Sequence, residues 1–227
     1  MGNFVHLHVH TEYSILDGAT KIAVAAKKAK ALGMPALAIT DHGNMYGAVN
    51  FFDACEKEGI KAIIGTEFYV CDDLTVKSGK AKLNHLVLLC KNEEGYKNIS
   101  LLNAIAFRDG FYYKPRIDLK TLEAHHEGLI CLSACLAGDI PQAILNRNFD
   151  EAERLVLWFK NLFGEDFYLE MQNHMLEEQL EVNKYLRTYA KKYGIKLVAT
   201  NDVHYLERSD AESQDVLMCV QMGADYD

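Results

Sequence analysis

In NFVHLHVHTEYSILDG (residues 3–18), histidines stand at alternate positions. In an extended chain His6, His8 and His10 share one face, while Val5, Leu7 and Val9 share the other. The aliphatic face suits packing under helices. The imidazole face asks for a chemical reason. Further along the chain, metal-competent side chains recur in short motifs: Asp41 and His42 in TDHGN, Glu67 in GTEF, Cys135 in SACLAG, and Asp202 with His204 in TNDVHY. Asp17, in YSILDG, follows close behind the first histidines. Singly, each has a bland explanation: a hydrogen-bonded histidine, a helix cap, a small buried thiol. Together they are costly to bury unless something positive neutralises and bonds them. Divalent ions do that, so His8 and His10 are expected to face inward to hold metal.

The elements that must position these groups alternate. Strands are predicted at 4–9, 35–40, 61–70, 85–90, 128–134, 166–171 and 196–200. Helices are predicted at about 19–33, 45–58, 94–106, 139–146, 149–163, 176–193 and 209–220, from apolar residues at helical spacing. Residues 72–84 are polar and read as a connection. Short apolar strands separated by helices imply an α/β protein with a mainly parallel sheet. Seven repeats favour a distorted seven-stranded β/α barrel, with a doubly wound open sheet as the alternative. In such a barrel functional groups gather at the C-terminal rim, and the strand ends carry the candidate ligands. His85 is the misfit, because it begins its strand. An antiparallel hairpin of the strands at 61–70 and 85–90 would return it toward Glu67.

Bulk properties limit the partners. The chain has 227 residues, 49% hydrophobic and 25% charged, and a formal net charge of −8. That acidity argues against a broad DNA-binding face, so any nucleic-acid contact must be local. Three prolines leave no room for a proline-rich linker. No apolar run is long enough to span a membrane and there is no signal-peptide pattern, so a cytoplasmic location without membrane association is expected. The six cysteines then read as reduced thiols, and none forms a C-x-x-C pair.

The motifs HLHVHT, TDHG, GTE, HLVLL, SACLAG and NDVH resemble those of the PHP (polymerase and histidinol phosphatase) domain family. EYSILDG, GIKAIIGTEFYV, HLVLLCKNEEGYKN and GFYYKPRID extend the likeness to the branch at the N-terminus of bacterial replicative DNA polymerase III alpha subunits. The resemblance implies a single domain over 1–227, with 209–227 leading toward a polymerase core outside this chain. It implies two to three divalent ions and nine ligands: His8, His10, Asp17, His42, Glu67, His85, Cys135, Asp202 and His204. His8, His10, Glu67 and Asp202 would hold one ion. Glu67 would bridge to a second on His85 and Cys135, and Asp17, His42 and His204 would hold the third. Family phosphatases typically carry His where this chain has Asp17 and Cys135. His6 and Asp41 would support ligands from behind, with His6 orienting Asp202 or a neighbour. His125 and His126 read as a solvated helix end, and His174 as a residue that could border the pocket.

Mixed N, O and S donors suit Zn²⁺, with Mn²⁺ or Fe²⁺ as alternatives. The implied catalyst is a metal-bound hydroxide held by His8, His10, Glu67 and Asp202, attacking phosphorus in line. The implied substrate is a DNA primer 3′ end, cut as a 3′→5′ proofreading exonuclease. Arg108, Lys114 and Arg116 beside Tyr112 and Tyr113 in FRDGFYYKPRIDL would contact that strand, unless this is only a surface loop. Two alternatives stand beside it: a small-molecule phosphatase or pyrophosphatase, and a non-catalytic scaffold whose ions hold the fold while its surface docks the polymerase core or a proofreading subunit.

Overall fold

The structure, a computed structural model, describes residues 4–80 and 82–226. Residues 1–3 and 227 of the expected domain, and Ala81 of the expected 72–84 connection, lie outside the described residues. Chain contacts define two compact units, Met1–Thr66 with Asp202–Asp227, and Glu67–Asn201.

In the first unit α1 (Ile22–Ala31) buries Ile22, Ala25, Ala26 and Ala29, the positions one helical stripe brings together. Lys28 and Lys30 lie in its last turn, where cations complement the carbonyl end. β1 (Ala36–Ile39) is wholly buried. α2 (Ala48–Glu58) stops at Gly59, whose φ of 66° is left-handed. β2 (Lys61–Cys71) then pairs parallel with β1, Ile39 opposite Ile64. Val9, Ile22, Leu37, Ile39, Phe51 and Cys55 belong to one apolar cluster.

The second unit takes the end of β2 and adds β3 (Asn84–Cys90), α3 (Glu93–Arg108) and β4 (Arg116–Asp118). α4 (Leu119–Ala124), β5 (Leu129–Leu132), α5 (Asp139–Leu145) and α6 (Phe149–Phe163) follow. β6 (Phe167–Met171), α7 (Glu177–Tyr193) and β7 (Lys196–Ala199) complete it. Neighbouring strands run β2, β3, β5, β6, β7, with β4 also on β2. β2 with β4, β5 with β6 and β6 with β7 are parallel; β3 is antiparallel to β5. Caps fix the helix starts: Asn92, Asp118 and Asn148 accept from the backbone N–H of Gly95, Thr121 and Glu151. Phe68, Leu88, Ile99, Leu102, Phe159 and Phe167 are fully buried.

α8 (Ala211–Met222) belongs to the first unit and ends at Gly223. The strand expected at 4–9 is not a regular strand. Its backbone is tied at separate points: Ala38 N–H to His6 O (3.0 Å), Thr40 N–H to Val9 O (2.9 Å), and His10 N–H to Val203 O (2.7 Å). The only ladder element within it is an isolated bridge, Val9 to Val203. The segment divides its hydrogen bonds between two neighbours instead of pairing continuously with one. The seventh strand is β4, at residues where the sequence predicts no strand. β7 is largely exposed.

Candidate functional site

Alternation at the N-terminus does what the pattern required at two of three histidines. His8 and His10 are fully buried, while Val9 turns the other way into the apolar cluster. His6 differs: its ring packs edge-on against Phe4, with centroids 4.9 Å apart. Burial, then the nearby Lys28 charge, lower its pKa. Among the described residues its buried Nδ1 has no hydrogen-bond partner.

His8 Nε2 and His10 Nε2 are 3.1 Å apart, and each is 3.2 Å from Asp202 Oδ1. Two nitrogen or oxygen donors on one tetrahedral ion, with bonds of about 2.0–2.1 Å, sit about 3.3 Å apart. The three atoms therefore match one face of such a coordination shell. A second group adjoins it in the same unit. Asp17 Oδ2 is 2.7 Å from His42 Nε2 and 3.7 Å from His204 Nε2. The His10 ring packs against both, 4.0 Å from the His42 ring and 4.3 Å from that of His204. Ring nitrogens of these three histidines approach within 4.8 Å of one another.

These charges alter each other. Burial works against the Asp17 carboxylate, but the neighbouring His204 and His42 imidazoles outweigh it and hold its pKa far below the usual range. For His204 burial lowers the pKa, yet the nearby Asp17 and Asp202 carboxylates leave it raised. Asp41 is fully buried, and burial leaves its pKa raised despite bonds from Thr11 and Ser14.

The backbone holds this group in place at several points. Asp17 sits in a loop whose ends meet at the Thr11 to Thr20 bridge. A Cβ on Gly18 would lie 2.1 Å from Thr11 O, so only glycine fits there. Gln214 of α8 donates to Asp17 O. Asn44 fixes the turn after β1 by donating to His42 O (2.9 Å) and Tyr13 O (3.0 Å).

The second unit brings together Glu67, His85 and Cys135. Glu67 Oε1 is 3.0 Å from His85 Nδ1 and 3.8 Å from Cys135 Sγ; Sγ to Nδ1 is 3.6 Å. With a Zn–S bond of about 2.3 Å, sulfur and nitrogen on one ion are about 3.6 Å apart, so this triangle also fits. The misfit of His85 is resolved by β3. Because β3 is antiparallel to β5, its first residues lie beside the exit of β5. His85 N–H bonds to Ala137 O (3.0 Å) in the turn that carries Cys135. That turn is tight: a Cβ on Gly138 would meet Ser133 O at 2.3 Å.

Three of the six non-glycine residues in the left-handed region among the described residues lie in or beside the turns that carry candidate ligands. Leu16 (φ 63°) precedes Asp17, Ala134 (φ 63°) precedes Cys135, and Asp202 itself has φ 48°. Such conformations cost energy and persist where the surroundings fix them.

The expected strand-binding group comes apart. Arg116 in β4 is buried, and its guanidinium donates to Gly110 O (2.8 Å), Val76 O (3.0 Å) and Leu74 O (3.4 Å). It also lies over the Tyr112 ring, 5.2 Å from the centroid. It clamps the 72–83 connection and is corrected from a strand contact to a structural residue. Tyr112 OH donates to Gly79 O in that connection. Arg108 makes a two-pronged bond to Asp109. Tyr113 is exposed and Lys114 Nζ sits 5.4 Å over Tyr69. His126 bonds to Glu123 O at the end of α4, and His125 is the residue just after that helix.

The sequence reading missed a buried polar chain. Thr200 Oγ1 donates to Glu170 Oε1, and Gln172 Nε2 donates to the same oxygen (3.0 Å). Gln179 links Gln172 to His174, whose Nε2 bonds Asn201 O (2.8 Å). Glu170, Gln172, Gln179 and Asn183 also line a small pocket with Cys135. The signal was a glutamate and a glutamine at alternate positions in YLEMQ.

Residues 6–174 match the PHP domain family model. The chain is 48% identical over 225 residues to a DNA polymerase III subunit alpha of Borreliella burgdorferi, covering 97% of this chain and 20% of that protein. It is 47% identical over 223 residues to that of Treponema pallidum, covering 96% and 19%. The chain thus spans about a fifth of the length of these relatives. A Bifidobacterium adolescentis protein assigned as a metal-dependent phosphoesterase superposes with TM-score 0.57 at 17% identity, covering 88% of this chain and 87% of that one. An amidohydrolase of Chromobacterium violaceum gives TM-score 0.58 at 15% identity, covering 95% and 97%. These two share the fold.

Proposed function

The chain belongs to the PHP domain family, and from that premise we propose that it is the metal-dependent phosphoesterase module of a bacterial replicative DNA polymerase, trimming DNA from the 3′ end. The observation that carries the reading is the triangle of His8, His10 and Asp202, whose donor atoms stand 3.1–3.2 Å apart. Neutral imidazoles with a carboxylate are Zn²⁺, Mn²⁺ or Fe²⁺ ligands, and the thiol in the separate Glu67, His85 and Cys135 triangle favours Zn²⁺ there. We assign all nine residues as ligands, six from the first unit and Glu67, His85 and Cys135 from the second. Bound ions supply an acidified water and positive charge for phosphate oxygens.

The chain's own residues bind and orient. His8 and His10, fully buried, present nitrogens that solvent does not reach. Asp17 stays ionised between two histidines, so it remains a donor at neutral pH. Cys135 is taken up as a ligand and is not a nucleophile. Lys114 and Tyr113 are the strand-contact candidates, a cation and an exposed ring on adjacent residues. Arg108 is exposed and its bond to Asp109 is weak enough to exchange for a phosphate. The remainder of the polymerase chain is the natural partner, with a proofreading subunit as a further one, and the cytoplasm is the natural location. Among the described residues no helix is long and apolar enough to cross a membrane.

The test is metal-dependent release of nucleotides from a labelled primer 3′ end, together with elemental analysis of protein purified without added metal. Asp202→Asn is expected to abolish release while leaving the fold intact. Turnover of small phosphomonoesters only would move the assignment to a phosphatase. Full metal with no turnover of either substrate would make the domain a scaffold.

A further inference from the structure

A ligating histidine must offer a lone pair, and which nitrogen offers it depends on where the other sends its proton. His10 Nδ1 lies 3.0 Å from Ser14 Oγ. Ser14 has one hydroxyl proton and is buried. Its Oγ is also 2.7 Å from Asp41 Oδ1 and 3.2 Å from the backbone nitrogen of His42. Asp41 is held as an acceptor from a third side. Thr11 N–H, which can only donate, reaches Oδ1 at 2.6 Å, and the Thr11 hydroxyl reaches Oδ2 at 2.8 Å.

From this geometry we infer that Ser14 and Asp41 are positioning residues that lock His10 in its Nδ1–H tautomer and so aim a free Nε2 at the ligand triangle. The hydroxyl proton goes to Asp41. Ser14 then has two acceptor sites left, and the two remaining neighbours fill them. One is the His42 N–H, a fixed donor. The other is His10 Nδ1, which must therefore carry a proton. Only Nε2 keeps a lone pair, and it is the atom 3.1 Å from His8 Nε2 and 3.2 Å from Asp202 Oδ1. The same hydroxyl anchors the backbone of His42, so one buried serine sets two ligands from different parts of the chain. The direction of the relay is decided by Asp41.

The inference rests on the reading of His10 as a ligand, but it can be tested apart from it. In metal-stripped full-length chain, long-range ¹H–¹⁵N spectra report the protonation of each ring nitrogen of His10. A protonated Nδ1 and a bare Nε2 are expected. Ser14→Ala is expected to mix the tautomers and to weaken zinc binding, measured against a competing chelator, by about 10–100-fold. A protonated Nε2 in the unsubstituted protein would overturn the relay, and this reading needs no variant to fold. Unchanged tautomer and affinity in Ser14→Ala would overturn it too. If Nδ1 is protonated as expected but the protein takes up no zinc, the relay stands and the metal assignment falls.

Discussion

His85 Nδ1 lies 3.0 Å from Glu67 Oε1, although 18 positions separate them and His85 begins its strand. Because β3 runs antiparallel to β5, the same His85 also lies beside the turn that carries Cys135. Removing either partner leaves Cys135 with an incomplete triangle. His85→Ala and Cys135→Ala should each lower the metal content by about one ion per chain. The ions tied to His8, His10 and Asp202 should remain. Elemental analysis of the two variants beside the parent decides it.

Arg116 should separate stability from metal. Its guanidinium satisfies three backbone carbonyls, and leaving a buried polar group unpaired costs about 1–3 kcal/mol. Arg116→Ala should lower denaturant stability by at least that range and open residues 72–83 to protease. Metal content should not change. A parent-like digestion pattern would contradict the clamp.

The Asp17–His204 pair makes a signed pH prediction. The Asp17 pKa is lowered from 3.8, so its contribution to stability is present above that value and is lost only in stronger acid. The His204 pKa is raised from 6.5, so its contribution is full below 6.5 and is lost as pH rises through the raised value. Metal-free protein should therefore melt lower at pH 8 than at pH 6. Loaded protein should do the reverse, because ions compete with protons for the same nitrogens. Melting curves at both pH values, with and without chelator, show whether the two trends cross.

Chelation alone should be visible. An ion present at a thousandfold excess over its Kd stabilises the folded state by about 4 kcal/mol. For a chain of this length that is roughly 8–16 °C in Tm. A loaded sample whose Tm is indifferent to chelator would count against structural dependence on the ions.

Gly18→Ala should damage the Asp17 loop. The added carbon would collide with Thr11 O, and such overpacking costs about 1–3 kcal/mol. Loss of metal in this variant, at a pH where the parent is loaded, would show that the loop's closure matters to the site.

The clustering of these metal-competent side chains was more legible in the sequence than their scaffold. Each motif carries its own turn, so TDHG, SACLAG and NDVH could be read locally, and the helices at 94–106, 149–163 and 176–193 followed from their apolar stripes. What could not be read was long-range. Whether 4–9 pairs continuously depends on two distant neighbours, Ala38 and Val203. β4 is three residues long, too short for a period to register. The role of Arg116 is ambiguous in sequence, because a cation among tyrosines looks the same whether it faces a phosphate or a row of carbonyls. The direction of the Ser14 hydroxyl needs Asp41, 27 positions away.

The left-handed backbone at Leu16, Ala134 and Asp202 bears on descent. A lineage that abandoned its ions would no longer be rewarded for keeping three awkward turns. Glycine or asparagine at those sites, or shortened loops, would then ease the chain at once. Positions 16 and 134, which donate nothing to an ion themselves, would record that abandonment as clearly as the vanished histidines.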